Sequence, residues 1–222
     1  MQPGHTVLDV GCGPGTDLAV LAEAVTPTGA VIGVDHAATF VEEARNTLAD
    51  TPWVTVAVGD AHRLPLEDQS VDRARTDRVL QHVDDPAAAL AEIRRVLRPD
   101  GVAVIAEPDW DTLALAPGDL EVNRAFNEFV CARRIRNPII GRQVAGLADC
   151  AGLDVLDVSA TTPVLRDFAL ASKVYGLNRN TERAVAAGYL TRADARRWVT
   201  ALEAGPFLAT CTLYITVVGR PS

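Results

Sequence analysis

The sequence predicts an α/β fold built on an open, seven-stranded, mostly parallel sheet flanked by helices, with the last strand antiparallel and helical inserts after strands 5 and 6. Three observations carry this. Short apolar runs alternate with helical spacing through residues 1–106. A glycine-rich turn, Gly11-Cys-Gly-Pro-Gly15, stands where the first apolar run gives way to the first helical pattern. Ala209 to Val218 closes the chain as an alternating strand whose predecessor in sequence order is also a strand, the arrangement of an antiparallel pair.

Thr6 to Val10 is the first strand, β-branched and apolar, and is expected at the centre of the sheet, which has five parallel strands. Thr16 is the expected N-cap of a helix through about Val25, with Leu18, Leu21 and Ala22 on one face. Ala30 to Val34 forms the second strand and ends at Asp35, after which Phe40, Val41, Ala44 and Leu48 recur at helical spacing. Trp53 to Val58 is the third strand, and Val71 to Thr76 the fourth, although Arg73 and Arg75 interrupt its apolar character. Asp85 caps the next helix, Pro86 suits its first position, and Leu90, Ile93, Val96 and Leu97 form its buried stripe. Arg98-Pro-Asp-Gly101 ends that helix, and Val102 to Ala106 is the fifth strand. Trp110–Asn137 and Pro163–Pro206 are the two inserts, with helices expected over 119–136, 167–177, 181–187 and 192–204. Between them lie a helix near 140–151 and a strand near 155–161.

The 222 residues are 48% hydrophobic and 23% charged, enough to bury one sizeable core, so a single domain over 1–222 is expected, with 1–109 as its binding core. A net charge of −8 argues against nucleic acid and anionic membrane as partners and favours a small molecule. The N-terminus lacks a signal peptide's basic and apolar regions, and no apolar run is long enough to span a bilayer, so a cytoplasmic protein is expected. Four scattered cysteines, without a CxxC pair, give neither a disulfide scaffold nor a zinc signature. Nothing in the composition bears on oligomeric state.

A glycine loop between a strand and a helix is where an open parallel sheet binds nucleotide-like ligands. The dinucleotide fingerprint wants another glycine where this chain has Thr16, which weakens a nicotinamide or flavin reading. Leu8-Asp-Val-Gly-Cys-Gly-Pro-Gly15 instead resembles motif I of the class I S-adenosylmethionine (SAM) dependent methyltransferases. Gly33-Val-Asp35, Gly59-Asp-Ala61 and Leu97-Arg-Pro-Asp-Gly101 match further motifs of their ubiquinone/menaquinone-biosynthesis-like branch, about half the chain in all.

The resemblance implies a Rossmann-like fold, SAM as cofactor with S-adenosylhomocysteine as product, no metal, and a small-molecule methyl acceptor. It implies that Gly11, Cys12 and Gly13 line the methionine end of SAM, with Asp9 organising the loop. Asp35 would accept the ribose hydroxyls, and at a ligand crevice its carboxylate is expected to contribute little to stability. His36 would lie against the adenine, or else be an exposed loop residue. Asp60 would accept the adenine amino group beside the Ala61 N–H, the alternative being an ordinary Gly-Asp turn. Thr76 would contact the methionine portion at the end of the fourth strand.

An activated sulfonium methyl needs alignment more than catalysis, but a hydroxyl or ammonium acceptor also needs a base. His82, Glu107 and Asp109 are the candidates, near strand ends, each alternatively a capping or solvated residue. Trp110, Phe126, Phe129, Tyr175 and Trp198 belong either to a substrate lid or to the core of the inserts. Arg133, Arg134, Arg136 and Arg142 either attract an anionic substrate group or form a solvated face. A SAM-binding protein that does not transfer methyl groups is the competing class. Relatives place helices before the first strand, which here begins at Thr6, and the sequence leaves open how that side is covered.

Overall fold

The structure is a computed structural model that describes residues 1–222. Its elements run β1 (Thr6–Val10), α1 (Leu18–Val25), β2 (Ala30–Asp35), α2 (Ala38–Thr47), β3 (Val54–Val58), β4 (Val71–Asp77), α3 (Pro86–Val96), β5 (Leu97–Ala116), α4 (Leu120–Arg133), α5 (Ile140–Cys150), β6 (Asp154–Thr161), β7 (Val164–Leu165), α6 (Phe168–Tyr175), α7 (Leu177–Ala186), α8 (Arg192–Ala204) and β8 (Leu208–Gly219). The strand order is β3-β2-β1-β4-β5-β8-β6, and the two-residue β7 adds an eighth strand by pairing antiparallel with β8. No helix is long and apolar enough to cross a membrane.

β1, β2, β3, β4 and β5 pair in parallel, with β1 in the middle of the five; the middle of the whole order is β4, not the expected Thr6–Val10, because β8 and β6 extend the sheet beyond β5. The order reverses beside β1: the chain proceeds outward to β2 and β3, then returns to place β4 on the other side. Parallel strands end on one edge, so the loops after β1, β2, β3 and β4 converge at this reversal, where α/β sheets bind ligands. On the helical side, Leu18, Leu21, Ala22 and Val25 of α1 and Val41 and Ala44 of α2 pack on Val7, Val31 and Val56. At about 25 cal/mol per Å² of apolar area, such burial is the main support of the parallel strands.

Two compact units are resolved by their internal contacts: residues 1–107, 143–159 and 215–222, and residues 108–142 and 160–214. The second has its own aromatic core. Trp110, Phe126, Phe129, Tyr175 and Trp198 all belong to it, with Phe126 and Trp198 rings 5.0 Å apart and the Trp198 indole N–H donating to Asn123 Oδ1 at 2.6 Å. Of the two readings offered by the sequence for these five, packing within the inserts is the one observed.

Several boundaries differ from expectation. Thr16 does not cap α1; Asp17 takes that position without a side-chain cap bond, its carboxylate engaged by Arg75 at 2.7 Å. Phe40 is exposed, because only Val41 and Ala44 of α2 face the sheet. The fifth strand is far longer than Val102–Ala106, absorbing Trp110 to Ala116, which the sequence had assigned to an insert. Arg98 to Gly101 is a bulge in that strand: the pairing jumps from Val71↔Leu97 to Arg73↔Val102. Arg220 holds the bulge, exchanging backbone hydrogen bonds with Asp100 and Gly101, while its guanidinium donates to the carbonyls of Arg94, Arg95 and Leu97 that end α3. Asp85 does cap α3, accepting from Ala88 N at 3.0 Å.

Candidate cofactor-binding site

The site lies in the first unit, at the converging strand ends. Gly11 N and Cys12 N both donate to Val34 O, at 2.7 and 3.1 Å, which ties the loop after β1 to the end of β2. Gly11 has φ +75°, and a Cβ there would stand 2.2 Å from Val79 Cγ2, so no larger residue fits. Gly13 has φ +54° but a Cβ would meet nothing within 4 Å, so its backbone faces open space. Cys12 lines the space along the loop while its thiol is largely buried against Gly33, and desolvation, with Asp9 and Asp35 nearby, pushes it to about 12.

Asp35 ends β2 and is 7% exposed. Its Oδ2 accepts from Gly13 N at 2.9 Å and its Oδ1 from Ala37 N at 2.8 Å. A carboxylate offers about four lone-pair sites, so two remain for a ligand. His36 follows with its side chain 89% exposed and Nδ1 3.4 Å from Asp35 Oδ1. After β3, Asp60 is largely exposed and accepts from His62 N at 2.9 Å and His62 Nδ1 at 2.6 Å, bonds that hold its carboxyl below the usual range. Ala61 beside it is half-buried.

A groove of about 180 Å³ runs along the glycine loop, lined among others by Asp9, Gly13, Thr16, Asp17, Arg75 and Asp77. The Arg75 guanidinium is its charge centre, 2.7 Å from Asp17, 3.5 Å from Asp9 and 3.5 Å from Asp77. Asp9 is 3% exposed. Burial pushes its carboxyl up to about 7, Arg75 opposing and Asp17, Asp77 and Asp35 reinforcing the rise. The signal for Arg75 in the sequence is a charged residue near the end of a parallel strand beside the glycine loop, since a charge there demands partners. Thr76, by contrast, is 1% exposed with its hydroxyl unpartnered, and it does not line the groove.

The three candidate bases part company. Glu107 is fully buried, its Oε1 accepting from Val79 N and Leu80 N at 2.8 and 2.6 Å and its Oε2 from Gln81 N at 3.3 Å. Burial raises it to about 7, against those three bonds. It is a loop anchor, and through Val79 it shapes the wall behind Gly11. Asp109 belongs to the second unit, is also fully buried, and is paired with the Arg142 guanidinium, which reaches Asp111 as well. Neither carboxylate is open to an acceptor. His82 is exposed, and partial desolvation together with His36 lowers its proton affinity. Of the other arginines, Arg142 is thus engaged, and Arg133 Nε reaches Tyr189 Oη at 3.4 Å.

Residues 8–105 match the methyltransferase domain family. This segment is similar to that family's methyltransferase domain. The chain is 38% identical over 113 residues, 51% of its length, to the demethylmenaquinone methyltransferase of Staphylococcus aureus, of which it spans 47%. It is 56% identical over 216 residues, 97% of its length, to an uncharacterized 37.1 kDa protein in transposon TN4556 of Streptomyces fradiae, of which it spans 63%. It therefore covers less than two thirds of either relative. The solved YcgJ protein from Bacillus subtilis shares the fold, with a TM-score of 0.69 at 20% identity, covering 99% of this chain and 93% of that one. The matched segment contains the glycine loop, Asp35, Asp60, Arg75 and His82, whereas Glu107 and Asp109 fall just beyond it.

Proposed function

We propose that this protein transfers a methyl group from SAM to a small-molecule acceptor in the cytoplasm. The observation that carries the reading is the match between the groove and the parts of SAM, strand end by strand end. Gly13 leaves its backbone open, Asp35 has spare acceptor sites for two ribose hydroxyls, and Asp60 presents a carboxylate oxygen to an amino group. The methionine end is a zwitterion, and the groove around Arg75 carries both signs: Asp9, Asp17 and Asp77 suit an ammonium, and Arg75 with Arg78 suits a carboxylate.

SAM supplies an electrophilic methyl on a cationic sulfur. The chain's part is placement: β2 and the glycine loop fix the nucleoside, the Arg75 cluster fixes the amino-acid end, and the acidic lining attracts the cationic cofactor. An acceptor that must lose a proton would give it to His82, the exposed member of the three candidate bases.

The test is incubation with methyl-labelled SAM and fractionated metabolite extracts, together with native mass spectrometry of the purified protein. Labelled small-molecule product with matching S-adenosylhomocysteine supports the reading. Bound SAM with no S-adenosylhomocysteine under any extract would assign the domain to the competing class of SAM binders that do not transfer methyl groups.

A further inference from the structure

His62 stood out in neither motif nor spacing, yet it makes three hydrogen bonds in the loop after β3. Its backbone N–H and its ring Nδ1 both meet Asp60 Oδ1, at 2.9 and 2.6 Å. Its Nε2 accepts from Asp85 N at 3.1 Å, and Asp85 is the residue whose carboxylate caps α3. A nitrogen that accepts from an N–H carries no proton, so the ring proton sits on Nδ1 and is donated to Asp60. The tautomer is fixed by the geometry. The histidine side chain is 25% exposed and the aspartate 66%, so the ring is a partly buried strut holding an exposed carboxylate. Arg63 N adds a backbone bond to Asp60 O at 2.9 Å, which fixes the main chain of the turn but leaves the carboxylate to His62.

Both His62 donors go to the same oxygen. Asp60 Oδ1 is therefore committed, while Oδ2 has no bond within the chain. We propose that His62 is a positioning residue for cofactor selectivity: by committing Oδ1 and bracing the carboxylate against the N-terminus of α3, it keeps Oδ2 oriented to accept from the exocyclic amino group of adenine. This rests on the SAM reading above and deepens it, because an exposed aspartate free to change rotamer would meet an amino or a keto group with little preference, whereas a braced one rejects a ring that presents an acceptor in place of a donor.

The experiment compares S-adenosylhomocysteine with S-inosylhomocysteine, its deaminated analogue, by calorimetry on the whole chain. The wild type is expected to bind the adenosyl compound at least about 10-fold more tightly. His62→Ala should compress that preference toward unity by weakening the adenosyl compound alone, and Asp60→Ala should do the same. The double variant should show no further loss, since the two residues act through one carboxylate. His62→Asn keeps an N–H donor near the δ position and should restore most of the preference. Melting curves on each variant confirm folding. A His62→Ala protein that loses affinity for both compounds equally, or keeps the wild-type preference, overturns the positioning role while leaving SAM binding standing. A wild type that binds neither compound overturns the SAM reading and this inference with it.

Discussion

Asp35 does two jobs with one carboxylate, and they set what its replacement costs. Besides its proposed place at the ribose end, it accepts from Gly13 N and Ala37 N, joining the glycine loop to the turn before α2. The expectation that its loss would leave stability nearly unchanged is therefore corrected. Asp35→Ala should weaken SAM binding by roughly 10- to 150-fold and also lower stability by about 1–3 kcal/mol, because two half-buried N–H groups lose their acceptor. Calorimetry and urea denaturation on the same preparation measure both; a loss of affinity with no change in stability would contradict the double role. Asp9 and Glu107 make a different prediction. Burial holds each at about 7, from ordinary values of 3.8 and 4.5. Each binds its proton more tightly folded than unfolded, so unfolding releases protons and stability falls as pH rises from about 4 to 7, levelling off above that. Asp9→Asn removes one of the two groups and should flatten the decline in urea midpoint between pH 5 and pH 8. An unchanged decline would place the pH dependence elsewhere.

Among the elements, β5 was the hardest to read, and the reason is physical. Helix spans were legible from caps and stripes: Asp119, Asp167 and Thr191 each cap a helix through their side chains, and α8 runs over the expected 192–204. The extension of β5 was not legible, because its Trp110 to Ala116 segment carries Asp111 and Thr112 among apolar residues, and the partners that make it a strand are remote in sequence: Thr112 Oγ1 accepts from Thr212 N at 2.8 Å. The ion pair of Asp109 with Arg142 is equally non-local, joining β5 to α5. Its energetics can be tested within the second unit. Arg142→Ala leaves a fully buried carboxylate without its guanidinium and should cost about 3–5 kcal/mol, with Asp109→Asn in the same chain recovering part of it. Equal destabilisation by Arg142→Ala in the presence and absence of Asp109→Asn would mean the pair contributes through packing, not charge. At α3, Asp85→Ala should cost about 1 kcal/mol as the loss of a cap.

At the scale of the whole molecule, the sheet order and the glycine loop follow from a pattern that repeats locally, strand then helix, and this is why residues 6–96 could be read almost element by element. Which groups line the groove could not be read in the same way, because that depends on alternation and burial at strand ends. Thr76 sits within the right motif but turns inward, and Arg75 emerges as the charge centre only once β1 and β4 lie side by side. The central claim is that this groove holds SAM. Calorimetric titration of SAM and S-adenosylhomocysteine into the wild type and into Gly13→Val tests it most directly, since a branched side chain at Gly13 would occupy the open space beside the loop and strain a positive φ. The account predicts one site per chain in the wild type and at least a 10-fold loss in a folded variant. A folded wild type that binds neither compound, or a folded Gly13→Val that binds as the wild type does, would contradict it.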